Sequence, residues 1–321
     1  MNRTPSQQTI SLPATMAAIR VAEFGGTGAM RLEQVALPDL AEDEVLVQVH
    51  AAGVGPWDGW IRSGNSVLPQ PLPLTLGSDI AGVIVAVGSK VTQWRAGAAV
   101  YGVTNKRFTG GYAQYAACNA GMIAAKPATL SFIEAASVPV IAVTAAQMLF
   151  DSAGLKAGDS VLIYGAAGNV GRYAVQLART AGIRVIATGA QPEAAELHTL
   201  GAEQVIGREL TPVVKVDAVL DLVGGPLQTK LFDFLAAGGK LISAVSEPDQ
   251  ARARDAGVDA RFMLVDVNTR ALTDLATEFD EGKLHTWVGS LLTLPNAPLA
   301  HEMMEGRAAR APGKIVLDVG A

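Results

Sequence analysis

The stretch VLIYGAAGNVG, residues 161 to 171, constrains this chain more than any other. Val161 to Tyr164 form a short apolar run of the kind that makes a buried strand. From Val170 onward, VGRYAVQLARTAG repeats apolar residues at helical spacing until Gly182. Between them lies a turn without a long side chain except Asn169. Aligned on its last two glycines it reads AxGxxG, with Ala166 where a dinucleotide fingerprint usually begins with Gly, then Gly168 and Gly171. Gly168 would let a pyrophosphate approach the backbone, and Gly171 would let the helix lie close to its strand. The first N–H groups of the helix would face the anion. Such a turn also serves merely to make a corner, so the motif alone leaves both readings open.

The surrounding pattern narrows the choice. From about Ser131 to Val265, apolar runs such as RVIATG, DAVLDLVG and KLISAV alternate with helical stretches such as PEAAELHTLGA and GPLQTKLFDFLAAG. Alternation of this kind requires parallel strands joined by right-handed crossovers. Ala17 to about Lys126 instead shows short β-like runs divided by Gly, Pro and Asp, as in EVLVQVHAAGV and DIAGVIVAVG. The late strand KIVLDV is expected to return to that first module, leaving the α/β unit inserted in a β-rich one. The predicted boundaries are a flexible leader over 1–15, a β-rich domain over 16–130, a dinucleotide-binding domain over 131–267 and a C-terminal return over 268–321.

Composition excludes several classes. Half of the 321 residues are apolar and 17% are charged, which describes a compact globular chain. A net charge of −5 gives no basic footprint for nucleic acid or an anionic membrane. The longest apolar stretch, Phe132 to Phe150, is borderline in length for a bilayer and is interrupted by Glu134, Ser137, Pro139 and Gln147, so a core helix is expected. The polar first fifteen residues lack the apolar core of a signal peptide, and a cytoplasmic location is expected. One cysteine, Cys118, excludes an intrachain disulfide and a cysteine cluster for zinc.

Five ordered motifs resemble the zinc-independent quinone oxidoreductases, the zeta-crystallin-like branch of the medium-chain dehydrogenase/reductase superfamily. They are AAGVGPWDGWIRSG from Ala51, LGSDIAGVIVAVG from Leu76, GGYAQYA from Gly110, VTAAQMLFDSAGLKAGDSVLIYGAAGNVG from Val143 and GRAARAPGKIVLDV from Gly306. The resemblance implies a Rossmann domain, a doubly wound parallel sheet, inserted in a GroES-like catalytic domain. It also implies a homodimer and reduction of a small electrophilic acceptor. The zinc enzymes of that superfamily place Cys and His in the first two of these loops, where this chain has Gly55, Trp57, Ser78 and Asp79. These offer no soft ligand, so no zinc is expected.

Without a Lewis acid the natural acceptor is already electrophilic: a quinone, or a carbon–carbon double bond conjugated to a carbonyl. The nicotinamide would carry the hydride, and the protein would orient and exclude water. An enoyl reductase of a biosynthetic pathway and a nucleotide-binding relative with little turnover are the alternatives. No catalytic side chain is assigned; Asp58 and Asp79 read as turn-fixing residues rather than proton donors. At the substrate loop the family usually has Asn where this chain has Gly55, and often Tyr where it has Trp60. The polarising contact to a substrate oxygen is thereby weakened, while Trp60 is free to stack on a flat acceptor or to pack in the core.

The coenzyme contacts are expected from Gly165, Ala166, Ala167, Gly168, Asn169, Val170 and Gly171. The resemblance adds Thr144, Val223 and Lys314, and Thr188 is expected among the contacts as well. Thr144 could instead satisfy local backbone, and Lys314 could instead flank a strand at its solvated end. The second strand ends at Thr188 and Gly189 with no acid for the ribose hydroxyls, which favours NADPH over NADH. The family's Lys in the next turn is missing, Gly207 replaces a frequent Tyr, and Glu193 lies nearby. Arg208 remains the candidate partner for the phosphate.

Overall fold

The computed structural model describes residues 12–211 and 214–320, so most of the expected leader lies outside the described residues. The chain forms two compact units. Among the described residues one comprises 12–126, 290–310 and 315–320, and the other 127–211, 214–289 and 311–314.

The β-rich unit opens with β1 (Thr15–Val21), β2 (Met30–Ala36) and β3 (Glu44–Val54), followed by helix α1 (Pro56–Arg62). The strands β4 (Leu74–Thr75), β5 (Asp79–Val87), β6 (Ala99–Val103), β7 (Tyr115–Asn119) and β8 (Ile123–Ala125) complete its first pass. β1 pairs antiparallel with β2 and β4, while β3 is the hub of a second antiparallel sheet with β5 and β7. Alternation along these strands sends Ile19, Val47, Ile80, Ile84 and Ile123 into one core, which Tyr112 joins from the loop before β7.

The α/β unit begins with α2 (Phe132–Ala136) and α3 (Pro139–Ala146). The long apolar stretch is therefore not one helix. Ser131 and Glu134 form a reciprocal capping box at its start, and Pro139, which has no N–H to donate, opens a second helix at its first position, with Val138 before it at φ −94° and ψ −48°. A single π-helical turn, Gln147–Ser152, ends it. There follow β9 (Ser160–Tyr164), α4 (Asn169–Thr180), β10 (Arg184–Thr188), α5 (Gln191–Leu200), β11 (Gln204–Ile206), β12 (Val216–Asp221), β13 (Leu235–Ser243), α6 (Gln250–Ala256), β14 (Asp259–Phe262) and α7 (Thr269–Asp280). The strands lie in the order β11-β10-β9-β12-β13-β14, with all neighbours parallel. This is the doubly wound order, and it reverses between β9 and β12; ligands of such sheets gather beyond the carboxyl ends of those two strands. The helix expected in GPLQTKLFDFLAAG is only a 3-10 turn, Gln228–Phe234, and β13 starts at once with Leu235. Buried Leu231 and Phe234 drive that tight turn into the core beneath the sheet.

The chain closes with β15 (Val288–Thr293), α8 (Ala297–Met304) and β16 (Lys314–Asp318). β16 pairs antiparallel with β3, Ile315 opposite Val54 and Leu317 opposite Ala52, so the β-rich unit is finished by the chain's last strand. Among the described residues no helix is long and apolar enough to cross a membrane.

Candidate functional site

At the carboxyl end of β9 the backbone turns sharply at Gly165, whose φ is +94°, a region that favours glycine. An added Cβ there would come within 2.8 Å of Val223 Cγ2. Gly168 N–H donates to Gly165 O at 3.0 Å and closes the turn. At Gly171 an added Cβ would stand 2.3 Å from Gly165 O and 2.6 Å from Ala166 Cα, so α4 lies directly on the turn. Gly168 is the N-cap residue and brings no side-chain cap. The first N–H groups of α4 are therefore left to an outside acceptor, at the positive end of the helix dipole. Gly168 is exposed, Ala167, Asn169 and Val170 are half-buried, and Ala166 is fully buried beneath the turn. A cradle of bare backbone that a Cβ would fill fits a diphosphate.

Thr188, expected among the coenzyme contacts, is buried, and its hydroxyl accepts the Gly165 N–H at 3.0 Å. It braces the turn from the neighbouring strand. Thr144 is likewise buried and donates to Val140 O at 2.7 Å, the local backbone role weighed for it. Lys314 is 1% exposed, which rules out a solvated strand end. Val223, by contrast, is 49% exposed beside Gly165.

The loop that carries Val223 is held by Asp221, a residue the sequence reading missed. Its buried carboxylate accepts Val223 N–H at 3.1 Å and Gly224 N–H at 2.8 Å through Oδ1. Through Oδ2 it accepts Gln228 Nε2 at 2.8 Å and Ser243 Oγ at 2.9 Å. Ser243 in turn receives Val245 N–H and Ser246 N–H, so one carboxylate fixes the loops after both β12 and β13. The available signal was an acid closing a strand immediately before a Gly-Gly turn.

Beyond β10 and β11 lies a cavity of about 350 Å³ lined by Gly189, Gln191, Val205, Gly207, Arg208 and Glu209, among others. Arg208 Nη2 meets both oxygens of Glu193 at 2.8 Å. Glu193 also accepts Ala190 N–H at 2.6 Å at the start of α5. Burial pushes the Glu193 carboxyl up, but the Ala190 N–H and the Arg208 guanidinium outweigh it and hold the group below its usual value.

In the β-rich unit, Gly55 precedes α1 and has Trp57 folded back over it: an added Cβ would stand 2.3 Å from two carbons of the indole. Gly55 is thus the residue that this Trp57 position requires. Trp57 Nε1 donates to Ser78 Oγ at 3.1 Å, so the two loops are tied to one another. Among the described residues no group of three His, Cys, Asp or Glu is placed to hold a metal ion. Asp58, fully buried, accepts Gly55 N–H and Tyr112 Oη, each at 2.8 Å, and so fixes the loop. Burial, reinforced by Asp58, pushes the Tyr112 phenol well above its usual value. Asp79 is also fully buried, whereas Trp60 is 52% exposed and is not a core residue. The Cys118 thiol is buried and burial pushes it far up, which makes it an inert hydrophobe.

Behind this loop, Arg62 is 4% exposed and donates to Gly25 O at 3.0 Å, to His301 Nδ1 at 2.9 Å and to Glu305 Oε1 at 2.6 Å. A guanidinium only donates, so His301 Nδ1 accepts and the ring is neutral. Burial, then Arg62, pushes His301 down to about 4. No motif or spacing in the sequence points to this cluster.

Residues 41–128 match the family described as the alcohol dehydrogenase GroES-like domain, and residues 200–317 match the zinc-binding dehydrogenase family. The quinone oxidoreductase of Sus scrofa is 33% identical over 94% of this chain and 97% of its own length. The 2-methylene-furan-3-one reductase of Solanum lycopersicum is 30% identical over 96% of this chain and 80% of its own. A mycobacterial protein solved complexed with NADPH superposes with a TM-score of 0.83 at 30% identity, covering 95% of this chain and all of its own.

Proposed function

The chain belongs to the zinc-independent quinone oxidoreductases of the medium-chain dehydrogenase/reductase superfamily, and from that premise we propose that it is an NADPH-dependent reductase of quinones and α,β-unsaturated carbonyls. The observation that carries the reading is the side-chain-free turn Gly165–Gly171, opening onto an uncapped helix at the point where the strand order reverses. The nicotinamide, when bound, supplies the hydride. The protein's own part is to seat the diphosphate on the N–H groups of α4, to offer Val223 as an apolar wall and to keep the Val223 loop still through Asp221. Reduction of a quinone to its hydroquinone also consumes one proton, which solvent delivers, since no titratable side chain is assigned to that step.

Both acceptor classes are consistent with the two relatives, one named for quinones and one for a methylene conjugated to a ketone. Exposed Trp60 offers a flat apolar face for an aromatic or quinonoid ring. Gly55 brings no side-chain donor, so a polar contact to the acceptor's oxygen has to come from elsewhere or be weak.

This reading includes a cytoplasmic homodimer. Among the described residues β14 is an unpaired edge of the parallel sheet, with Phe262 and nearby Leu264 exposed, and a second copy adding to that edge would cover them. The test is NADPH oxidation against quinones, enones and enoyl thioesters. Turnover with the first two supports the proposal, turnover with thioesters alone assigns an enoyl reductase, and NADPH binding without acceptor-dependent oxidation leaves only a nucleotide-binding protein.

A further inference from the structure

β10 ends at Thr188, and neither it nor the following Gly189 supplies the strand-end acid that ordinarily takes the ribose hydroxyls of a dinucleotide. The structure brings a carboxylate there by another route. Glu193 stands on the first turn of α5, and a Cβ added at Gly189 would lie 3.5 Å from its Oε2. Leu197 Cδ1, 2.7 Å from that added Cβ, takes most of the space, and the Glu193 carboxylate stands at van der Waals distance beside it. Arg208, the one cation lining this cavity among the described residues, is held by Glu193 at two points, and Glu209 lines the same cavity. A ribose phosphate carrying nearly two negative charges therefore meets two carboxylates and a guanidinium already engaged through Nη2. Its Nη1 and Nε donors remain for a ligand.

We propose that Glu193 is the coenzyme-selecting residue: by tethering Arg208 and supplying the carboxylate near Gly189, it keeps the ribose pocket close to charge balance, so the protein takes NADH as well as NADPH and prefers the phosphorylated coenzyme only weakly. The inference rests on the dinucleotide reading above and goes beyond it in naming the residue that tempers the preference. Removal of Arg208 leaves a free acid suited to ribose hydroxyls. Neutralisation of Glu193 leaves a free guanidinium suited to phosphate.

The experiment measures dissociation constants for NADPH, NADH, 2′,5′-ADP and 5′-AMP at one fixed salt concentration, with wild type, Glu193→Gln and Arg208→Ala. Glutamine at position 193 still accepts the Ala190 N–H, so the start of α5 is preserved. In wild type the two coenzymes are expected within about tenfold of one another. Glu193→Gln should raise the NADPH-to-NADH affinity ratio about tenfold and Arg208→Ala should lower it about tenfold, the size of one charge-assisted hydrogen bond. The 2′,5′-ADP-to-AMP ratio should move in parallel, and Glu193→Gln combined with Arg208→Ala should return both ratios toward wild type. A ratio unmoved by Glu193→Gln in a folded variant overturns the inference while leaving the dinucleotide reading intact. Absence of any coenzyme binding to wild type overturns that reading itself.

Discussion

The two units solve the same problem, holding a loop where a ligand can meet it, by opposite means. In the α/β unit the turn after β9 is made of backbone and absent side chains: three glycines, each excluding a Cβ or a cap, and a single hydroxyl from Thr188. In the β-rich unit the loop before α1 is held by charged and aromatic side chains. Asp58 reaches Tyr112, Trp57 reaches Ser78, and Arg62 reaches His301 and Glu305 from behind. The first design is insensitive to protonation and intolerant of any added atom. The second has no room for a Cβ at Gly55 either, but it depends on which groups carry a proton.

The sharpest break in that comparison is Gly171→Val. The new Cβ would be 2.3 Å from the Gly165 carbonyl oxygen, a backbone atom that cannot swing aside. The α/β unit should lose more than about 3 kcal/mol, beyond the usual range for overpacking, and coenzyme binding should disappear. Thermal unfolding and a coenzyme titration read both effects. Retention of wild-type affinity would show that the turn is not the built cradle described here.

Acid separates the units from the other side. His301 falls from an ordinary value of 6.5 to about 4 in the fold, chiefly through burial. The unfolded chain therefore binds more protons than the native one between those values, and stability falls as pH drops through that window. Between pH 7 and pH 5 the loss is about 2 kcal/mol. Burial pushes Glu305 up, Arg62 outweighs it, and the net lowering places the loss of that ion pair at still lower pH, below the ordinary carboxylate value. His301→Gln keeps an acceptor for Arg62 and has no proton to gain, so the difference in unfolding free energy between pH 7 and pH 5 should shrink by that amount. An unchanged difference would place the acid sensitivity elsewhere than in the β-rich unit's charge cluster.

The same contrast explains what could be read in advance. The alternation of strands and helices and the turn at residues 165–171 are local patterns, and periodicity over a dozen residues carries them. The Asp58–Tyr112 bond joins residues 54 apart, and the Arg62 contacts span 239 and 243, distances at which no spacing rule operates. The Arg208–Glu193 pair is only 15 residues apart, yet it was missed because a crossover between parallel strands brings the two together. Lys314 and Trp60 were ambiguous in the sequence for a different reason: both side chains are amphipathic, and only packing settled that one is buried and the other exposed.

The smallest effect tests the one side chain on which the backbone-built turn relies. Thr188→Val keeps the shape and β-propensity of the strand end and removes the acceptor of the Gly165 N–H. The cost should be about 1 kcal/mol in the α/β unit, that of one hydrogen bond whose partner is then left unpaired. Because the hydroxyl is spent on the turn, affinity for NADPH and NADH should fall by the same small factor and their ratio should hold. If the ratio shifts instead, Thr188 touches the ribose end of the coenzyme, and the turn owes less to its neighbouring strand than the hydrogen bond implies. If neither stability nor affinity changes, the three glycines alone define the cradle, which carries the contrast between the two units to its limit.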